Sequence, residues 1–532
     1  MNRKNRSLIS AGSFGLLQPR LPTEHEPAVK PARLYLGLAL ALAAPSLIHL
    51  PALLAGQYYF YQSYLTGTAP MSPLVRLADF LWLLTCLSGL LVVHRYLPVR
   101  PGHAGLALAG AAFALTVPLG SADFLFYFHM VRDWLATGAN PYAQPFEIPN
   151  PFLTEGPASL LSPNVPYPPL WVLGCAGLRA LSGDRLWLFA LLLKLLLGLA
   201  HAGNYWLLVR LEGRLRGGRD GTGETAEALA PKIPPPAGEP GPAFPAAWWY
   251  LCCPLFLWEG LSLMHYELVW LFFGLLAVER LSRKRFGQAA LAWALAFWIK
   301  YTAVFILPVF LPFLLARSLP ARRRLGSMAG LAGLWVLAGT FATWPFQGYE
   351  PLLRGLQRQF TWLFNSWPVL LIQLFPDASR NLALVKLLLL AGAALLLLLS
   401  PRKPRLDDLS GALAWSVAGQ LVFLLVASPL FFPWYALWPL LFALPLLESR
   451  YSGLFPAAWS LAALSALFYP LQYTVGHLQA SFDRTFQCGY LLLSHLLPLL
   501  LLVRFLYHPP DGLEPGAPAE SSAPGRTIAG SS

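Results

Sequence analysis

Long apolar runs constrain this chain more than any other feature. They lie near residues 32–55, 77–95, 103–120, 168–182, 186–209, 245–258, 262–279, 287–317, 326–344, 381–400, 410–428, 433–448, 454–473 and 487–508. Many reach the roughly 20 residues that a helix needs to cross a hydrocarbon core about 30 Å thick. A backbone in lipid must satisfy its own hydrogen bonds, so only helices and closed barrels cross it. Barrel strands read as segments of about ten residues with alternating polarity, whereas these runs are continuous. The expected fold is therefore all-α: a polytopic transmembrane helical bundle of about 13–14 spans. Composition agrees, with 56% hydrophobic and 12% charged residues, where a soluble domain carries about a quarter charged residues.

The net charge of +13 raises nucleic acid as a partner, but its distribution argues against one. Lys and Arg sit in short clusters between apolar runs: Arg280/Arg283/Lys284/Arg285, Arg317/Arg322/Arg323/Arg324 and Arg402/Lys403/Arg405. That is the positive-inside pattern of a membrane protein. Cys86, Cys175, Cys252, Cys253 and Cys488 mostly lie in apolar stretches with no CxxC or His/Cys ligand spacing. Neither a disulfide framework nor a zinc site is expected.

Residues 1–30 read as a disordered, basic cytoplasmic tail without a signal-peptide pattern, 31–508 as one multi-span membrane domain, and 509–532 as a second disordered tail. With the N-terminus inside, Arg95 to Arg100 is inside and loop 121–167 outside. The Pro-rich loop 211–244, opened by Arg210/Arg214/Arg216/Arg219, is inside. The alternation then places 345–380 outside, Arg402 to Arg405 inside, Phe432 to Tyr435 outside and Arg450 inside. It requires 168–182 to be a re-entrant or tilted short helix. It also requires 245–279 to fold back at Glu259-Gly260 and His265-Tyr266-Glu267, and 287–317 to fold back at Lys300.

Loop 121–167 breaks the apolar pattern with Asp123, Asp133, Glu147 and Glu155 among many Pro, Asn, Gly and Tyr residues. Its opening is helical, with Ser121 as N-cap and Asp123, Tyr127 and Val131 on one face at i, i+4, i+8. Asn140-Pro141-Tyr142 should break that helix. An ordered polar loop this long between spans is more often a site than a spacer, and it is read as an extracytoplasmic catalytic loop carrying short helices.

Candidate site residues follow from residue type and place. Asp123 suits the first turn of a helix through the macrodipole, and equally suits a general base just outside the bilayer. Lys300, between Ile299 and Tyr301, is expensive in an apolar run unless paired; it reads as a phosphate-binding cation or as a snorkelling lysine. His265 and Glu267, with Glu259 weaker, read as ligand-contacting or acid–base groups or as polar residues of a tight turn. One His and two carboxylates give little reason to expect a metal, and none is assigned. Trp434 and Tyr435 suit an aromatic belt or a sugar contact. Arg354 and Arg358 lie on an amphipathic stretch that either binds lipid phosphate or rests on the membrane surface.

The order of these motifs resembles a known family. An early outward loop with Asp123, Tyr127, Gly138-Ala139-Asn140-Pro141-Tyr142 and Tyr167-Pro168-Pro169-Leu170 is followed by Pro254 with His265-Tyr266-Glu267. Lys300 with Pro308 and Pro433-Trp434-Tyr435 come next. The layout, over about residues 77–508, resembles the GT-C superfamily of integral membrane glycosyltransferases, and within it the bacterial polyprenyl-phosphate-mannose-dependent mannosyltransferases. The resemblance implies an inverting transferase, a mannosyltransferase in the first instance, at the extracytoplasmic face of the cell membrane. It would move a sugar from a polyprenyl-phosphate donor to a hydroxyl of a glycolipid or glycan acceptor. Asp123 is then the catalytic base. Lys300, His265, Glu267, Tyr127, Asn140, Tyr142, Tyr167, Trp434 and Tyr435 are then substrate-binding. No cofactor is assigned, and without a Gly-rich βαβ nucleotide fold a cytosolic nucleotide-sugar site is not expected. The alternatives are a transferase for another lipid-linked sugar (arabinose or glucose), a lipid-phosphate enzyme without sugar chemistry, or a lipid or sugar transporter.

Overall fold

Among the described residues, apolar sequence becomes helix nearly everywhere. The computed structural model describes residues 33–41, 123–144, 165–217, 245–314, 320–350, 363–400, 408–447, 449–468 and 484–507, with the strand residues 146–149 and 159–162 and isolated positions between. The expected runs 32–55, 77–95 and 103–120 lie largely outside these residues. So do the two tails, most of loop 211–244, Ser121, Glu155, Arg354 and Arg358.

Among the described residues, five helices are long and apolar enough to cross a membrane: Leu186–Leu215, Ala321–Phe346, Ser379–Leu398, Leu409–Ala427 and Thr485–Tyr507. A sixth results if the bent pair Phe256–Ser262 and Glu267–Ser282 is one span. Shorter apolar helices occupy Pro169–Ser182, Phe286–Ile299, Tyr301–Leu314, Pro433–Leu446 and Leu454–Ser465. The described residues thus form an all-α bundle with membrane-crossing helices.

The outward faces agree. On the helix Leu382–Leu398, Leu384, Leu387, Leu388, Leu390 and Leu395 are all exposed. Such a leucine surface is excluded from water and suits acyl chains. The polar loop gives helices α1 (Asp123–His129) and α2 (Arg132–Thr137). It also gives what the sequence reading lacked, an antiparallel hairpin of β1 (Phe146–Pro149) and β2 (Ser159–Ser162), with Phe146 opposite Ser162. The expected terminator is also corrected. Gly138, with φ 74°, caps α2 by donating its N–H to Trp134 O, so the helix ends before Asn140-Pro141.

The interior is built from α3 (Pro169–Ser182), α4 (Leu186–Gly217), α5 (Pro245–Leu251), α6 (Glu267–Ser282) and α7 (Phe286–Ile299). Helix α6 packs against both α4 and α7. Gly203 permits the first contact, because a Cβ there would meet Phe272 at 2.6 Å.

Two interruptions lie where the sequence carries polar groups. Between α5 and α6 a π-helical turn, Phe256–Ser262, meets α6 at a bend of 117°. Met264 turns the chain with φ 59°, a left-handed conformation that a buried non-glycine residue adopts only when its surroundings hold it there. After α7, Lys300 is extended at φ −150° and ψ 117°, and the chain continues as a 3₁₀ run, Tyr301–Phe310, containing Pro308. A proline removes one donor of the α ladder, consistent with the tighter winding. These interruptions fix the backbone positions from which the candidate site is built.

Candidate active site

The first residue of α1 supplies the carboxylate. One turn later the Tyr127 hydroxyl donates to Asp123 Oδ2 at 3.3 Å, as the i, i+4 spacing requires. Tyr127 is buried, and its ring meets Tyr167, Trp171 and Tyr266 edge-on at centroid distances of 5.1, 5.2 and 6.0 Å. Trp171 and Tyr266 stack at 4.8 Å. Asp123 therefore stands at the rim of an aromatic floor with 21% of its side chain exposed. Burial first, then the nearby Glu267 charge, push its carboxyl up to about 7, while Lys300 and the Tyr127 hydrogen bond pull the other way.

The chain bend supplies the next groups. His265 is fully buried, with Nε2 3.9 Å from Asp123 Oδ2 and Nδ1 3.2 Å from Glu259 Oε2. The Trp434 ring lies over the imidazole at 3.8 Å between centroids. Trp434 in turn stacks on Phe432 at 4.6 Å, which fixes its plane.

Beside this set, Lys300 Nζ donates to Glu267 Oε1 at 2.6 Å, with Glu267 fully buried. The ammonium faces the rings of Tyr266, Tyr435 and Trp438 at 4.5, 4.7 and 5.2 Å. Lys300, open from sequence to phosphate binding or snorkelling, has Glu267 as its ion-pair partner, and that internal carboxylate offsets its buried charge.

Asp123, Tyr127, Tyr167, His265, Glu267, Lys300, Trp434 and Tyr435 are thus brought together. Asn140 and Tyr142 are held by the scaffold. Asn140 Nδ2 donates to Phe346 O at 2.6 Å, and the Tyr142 hydroxyl donates to Tyr167 O at 2.6 Å. Through these bonds they brace the loop and tie Tyr167, which packs on Tyr127, to it. Asp133 bonds Arg132 at 2.8 Å on α2, a separate helix from Asp123.

Glu259, the weaker candidate from sequence, lies six residues from His265, a spacing that a regular α-helix puts on different faces; the π turn and Met264 bring the two together. Trp171 and Trp438 lie in apolar runs without a distinguishing signal, and Tyr266 is marked only by its polar neighbours. Lys194 on α4 donates to Leu261 O at 2.8 Å, inside the π turn. A lone lysine in an apolar run was its available signal, the same one that marked Lys300. Among the described residues, no group of three or more His, Cys, Asp or Glu side chains has a metal-holding arrangement.

The arrangement offers one partly exposed carboxylate beside an imidazole, a buried cation, and aromatic surfaces. It can accept a proton, stabilise an anion and hold a flat or apolar group. No protein-family model matches this sequence, and no curated protein matches it.

Proposed function

We propose that this chain is an inverting, GT-C-type membrane glycosyltransferase that moves a sugar, mannose in the first instance, from a polyprenyl phosphate to an acceptor hydroxyl at the extracytoplasmic face. The observation that carries the reading is the meeting of the Asp123 carboxylate with the Lys300–Glu267 pair and His265 at two breaks in an otherwise apolar bundle. Ionisable groups inside a membrane domain are costly and mark functional sites.

The chemistry asks little of the protein. Asp123 accepts the acceptor's hydroxyl proton as the oxygen forms its bond to the sugar's anomeric carbon and the carbon–phosphate-oxygen bond breaks. One displacement inverts the centre, and no second carboxylate nucleophile is needed. An ammonium has three N–H donors; Glu267 takes one from Lys300, and the others serve the departing phosphate. Trp434, Tyr435 and Tyr167 supply surfaces for the sugar and the lipid-proximal end.

The direct test is a membrane assay of the full chain with radiolabelled polyprenyl-phosphate mannose and total membrane lipid and glycan as acceptors. Covalent transfer that Asp123→Asn abolishes supports the reading. Absence of transfer from mannose, arabinose and glucose donors alike overturns it. Orientation is tested by impermeant thiol labelling of intact cells, in a Cys488→Ser background. Thr137→Cys, exposed on α2, should label, whereas Gln288→Cys, exposed near the start of α7, should not; labelling at Gln288→Cys overturns the orientation.

The 117° bend with an ion pair beside it favours one second reading, a lipid or sugar transporter, since broken helices line transport sites. Proteoliposomes that move labelled donor across the bilayer without covalent transfer would select it.

A further inference from the structure

His265 presents a chemical asymmetry. Its Nδ1 faces Glu259 Oε2 at 3.2 Å and its Nε2 faces Asp123 Oδ2 at 3.9 Å. A carboxylate accepts hydrogen bonds and donates none, so the Nδ1 proton belongs toward Glu259. Nε2 then carries a lone pair, pointed at a second carboxylate. Two acceptors face each other there, and the pair becomes attractive once one proton lies between them. The buried Glu259 and the Trp434 face, 3.8 Å from the imidazole, favour a positive ring, while burial and the Lys300 charge oppose it. Glu267 pairs with Lys300 at 2.6 Å.

From this geometry we infer that His265 acts through Asp123 as the second station for the acceptor's proton, with Glu259 and Trp434 as positioning residues that stabilise the imidazolium. The inference rests on the glycosyl-transfer reading for its substrate, but the shared proton is a property of the three side chains. In the step, the acceptor O–H bond breaks and its proton bonds Asp123. As the gap to Nε2 closes from 3.9 Å to hydrogen-bond length, the proton passes to His265. Asp123 returns to a carboxylate, Nδ1–H stays bonded to Glu259, and the proton leaves through the partly exposed Asp123 when product departs. No oxidant or cofactor is involved. Catalytic hydrogen bonds are often long before substrate arrives. The role of Glu259 resembles that of the buried Asp in a Ser–His–Asp triad, which orients the imidazole and stabilises its charged form without itself taking the proton.

The sign of the pH effect follows. The base-competent form is ionised Asp123 with neutral His265, and one added proton shuts it. The Glu259 charge favours that added proton, so removing it moves the acid limb of turnover to lower pH and lowers the plateau, because the acceptor is weaker. Glu267, Lys300, Tyr127, Tyr167, Tyr266 and Tyr435 face Asp123, and Tyr490 faces Glu259; all are retained in the variants.

The test uses full-length protein in lipid nanodiscs with ¹⁵N-labelled histidine. The His265 signal is assigned by its loss in His265→Gln. Its midpoint should fall by about 1–3 pH units in Glu259→Gln and also in Asp123→Asn, the shift expected for loss of an adjacent charge. Turnover of polyprenyl-phosphate mannose should fall about 10–100-fold in Glu259→Gln, within the range of positioned acid–base groups, with its acid limb displaced to lower pH. Trp434→Leu should give a smaller shift in the same direction, and it decides the matter should Glu259→Gln fail to fold. A His265 midpoint unmoved in these variants overturns the inference, as does a loss of turnover with an unmoved limb. If the unaltered protein transfers no sugar, the transferase reading fails, while the histidine titration still decides the shared proton.

Discussion

The two ends of α6 make an informative comparison. Each end carries a fully buried glutamate, and each glutamate has a cationic partner. At the start Glu267 meets Lys300 at 2.6 Å; in the last turn Glu279 meets Arg283 at 2.5 Å, with Arg280 at 3.6 Å. The surroundings differ. Arg283 and Arg280 lie on the same turn or just beyond it and keep 17% and 23% exposure; cations there also suit the helix C-terminus. Lys300 comes from another helix, carries three aromatic rings around it, and sits beside Asp123 and His265. The late pair is local in sequence, and its cations reach solvent. The early pair is assembled across two chain breaks, and an ordered cost of that kind is retained where a site needs a preorganised charge.

Changes at the early end should therefore cost function first, and changes at the late end only stability. The largest effect is expected from Asp123→Asn, which keeps size and removes the proton acceptor. Turnover should fall about 10²–10⁴-fold with unchanged expression, measured as labelled sugar transferred per mole of purified protein. Asp133→Asn should leave turnover intact. If Asp123→Asn turns over near the parental rate, the contrast between the two helix ends loses its functional meaning.

Next comes the ion pair itself. Lys300→Ala leaves Glu267 buried without its partner and should destabilise by about 3–5 kcal/mol, read as thermal unfolding in nanodiscs. The double variant Lys300→Met with Glu267→Gln should recover most of that stability while remaining inactive. Lys300→Arg should retain some activity, since it keeps charge and changes geometry. Recovery of turnover in the double variant would remove the pair from the chemistry and leave it structural.

Third is pH. A base must be ionised, and Asp123 is pushed up to about 7. Turnover should be flat above that point and fall about tenfold per unit below it. A profile level down to pH 5 would place the base elsewhere. The smallest effect on function belongs to the late pair: Arg283→Ala leaves Arg280 near the buried Glu279, so it should cost less than the about 3–5 kcal/mol of stripping a buried charge of its partner, with turnover and pH profile unchanged. A large loss of turnover there would erase the distinction between the two ends.

The sequence by itself determined the helical membrane character, because about 20 apolar residues in succession have no other way to satisfy backbone hydrogen bonds in lipid. It also determined where the bundle is interrupted, since Glu259, His265, Glu267 and Lys300 cannot sit in hydrocarbon without partners. The Asp123–Tyr127 contact was legible for a local reason: side chains four apart share a helix face. Only the tertiary structure decided which charges partner which. Glu267 joins Lys300 because two separate breaks bring α6 and the end of α7 to one place. Glu259 reaches His265 because a π turn and the left-handed Met264 depart from the regular period on which sequence patterns depend. Trp434 covers that imidazole from a distant segment whose aromatic composition is equally suited to a membrane interface. Periodicity fixes the neighbours within a helix. The partners of a charge across helices are set by packing, and no local pattern encodes them.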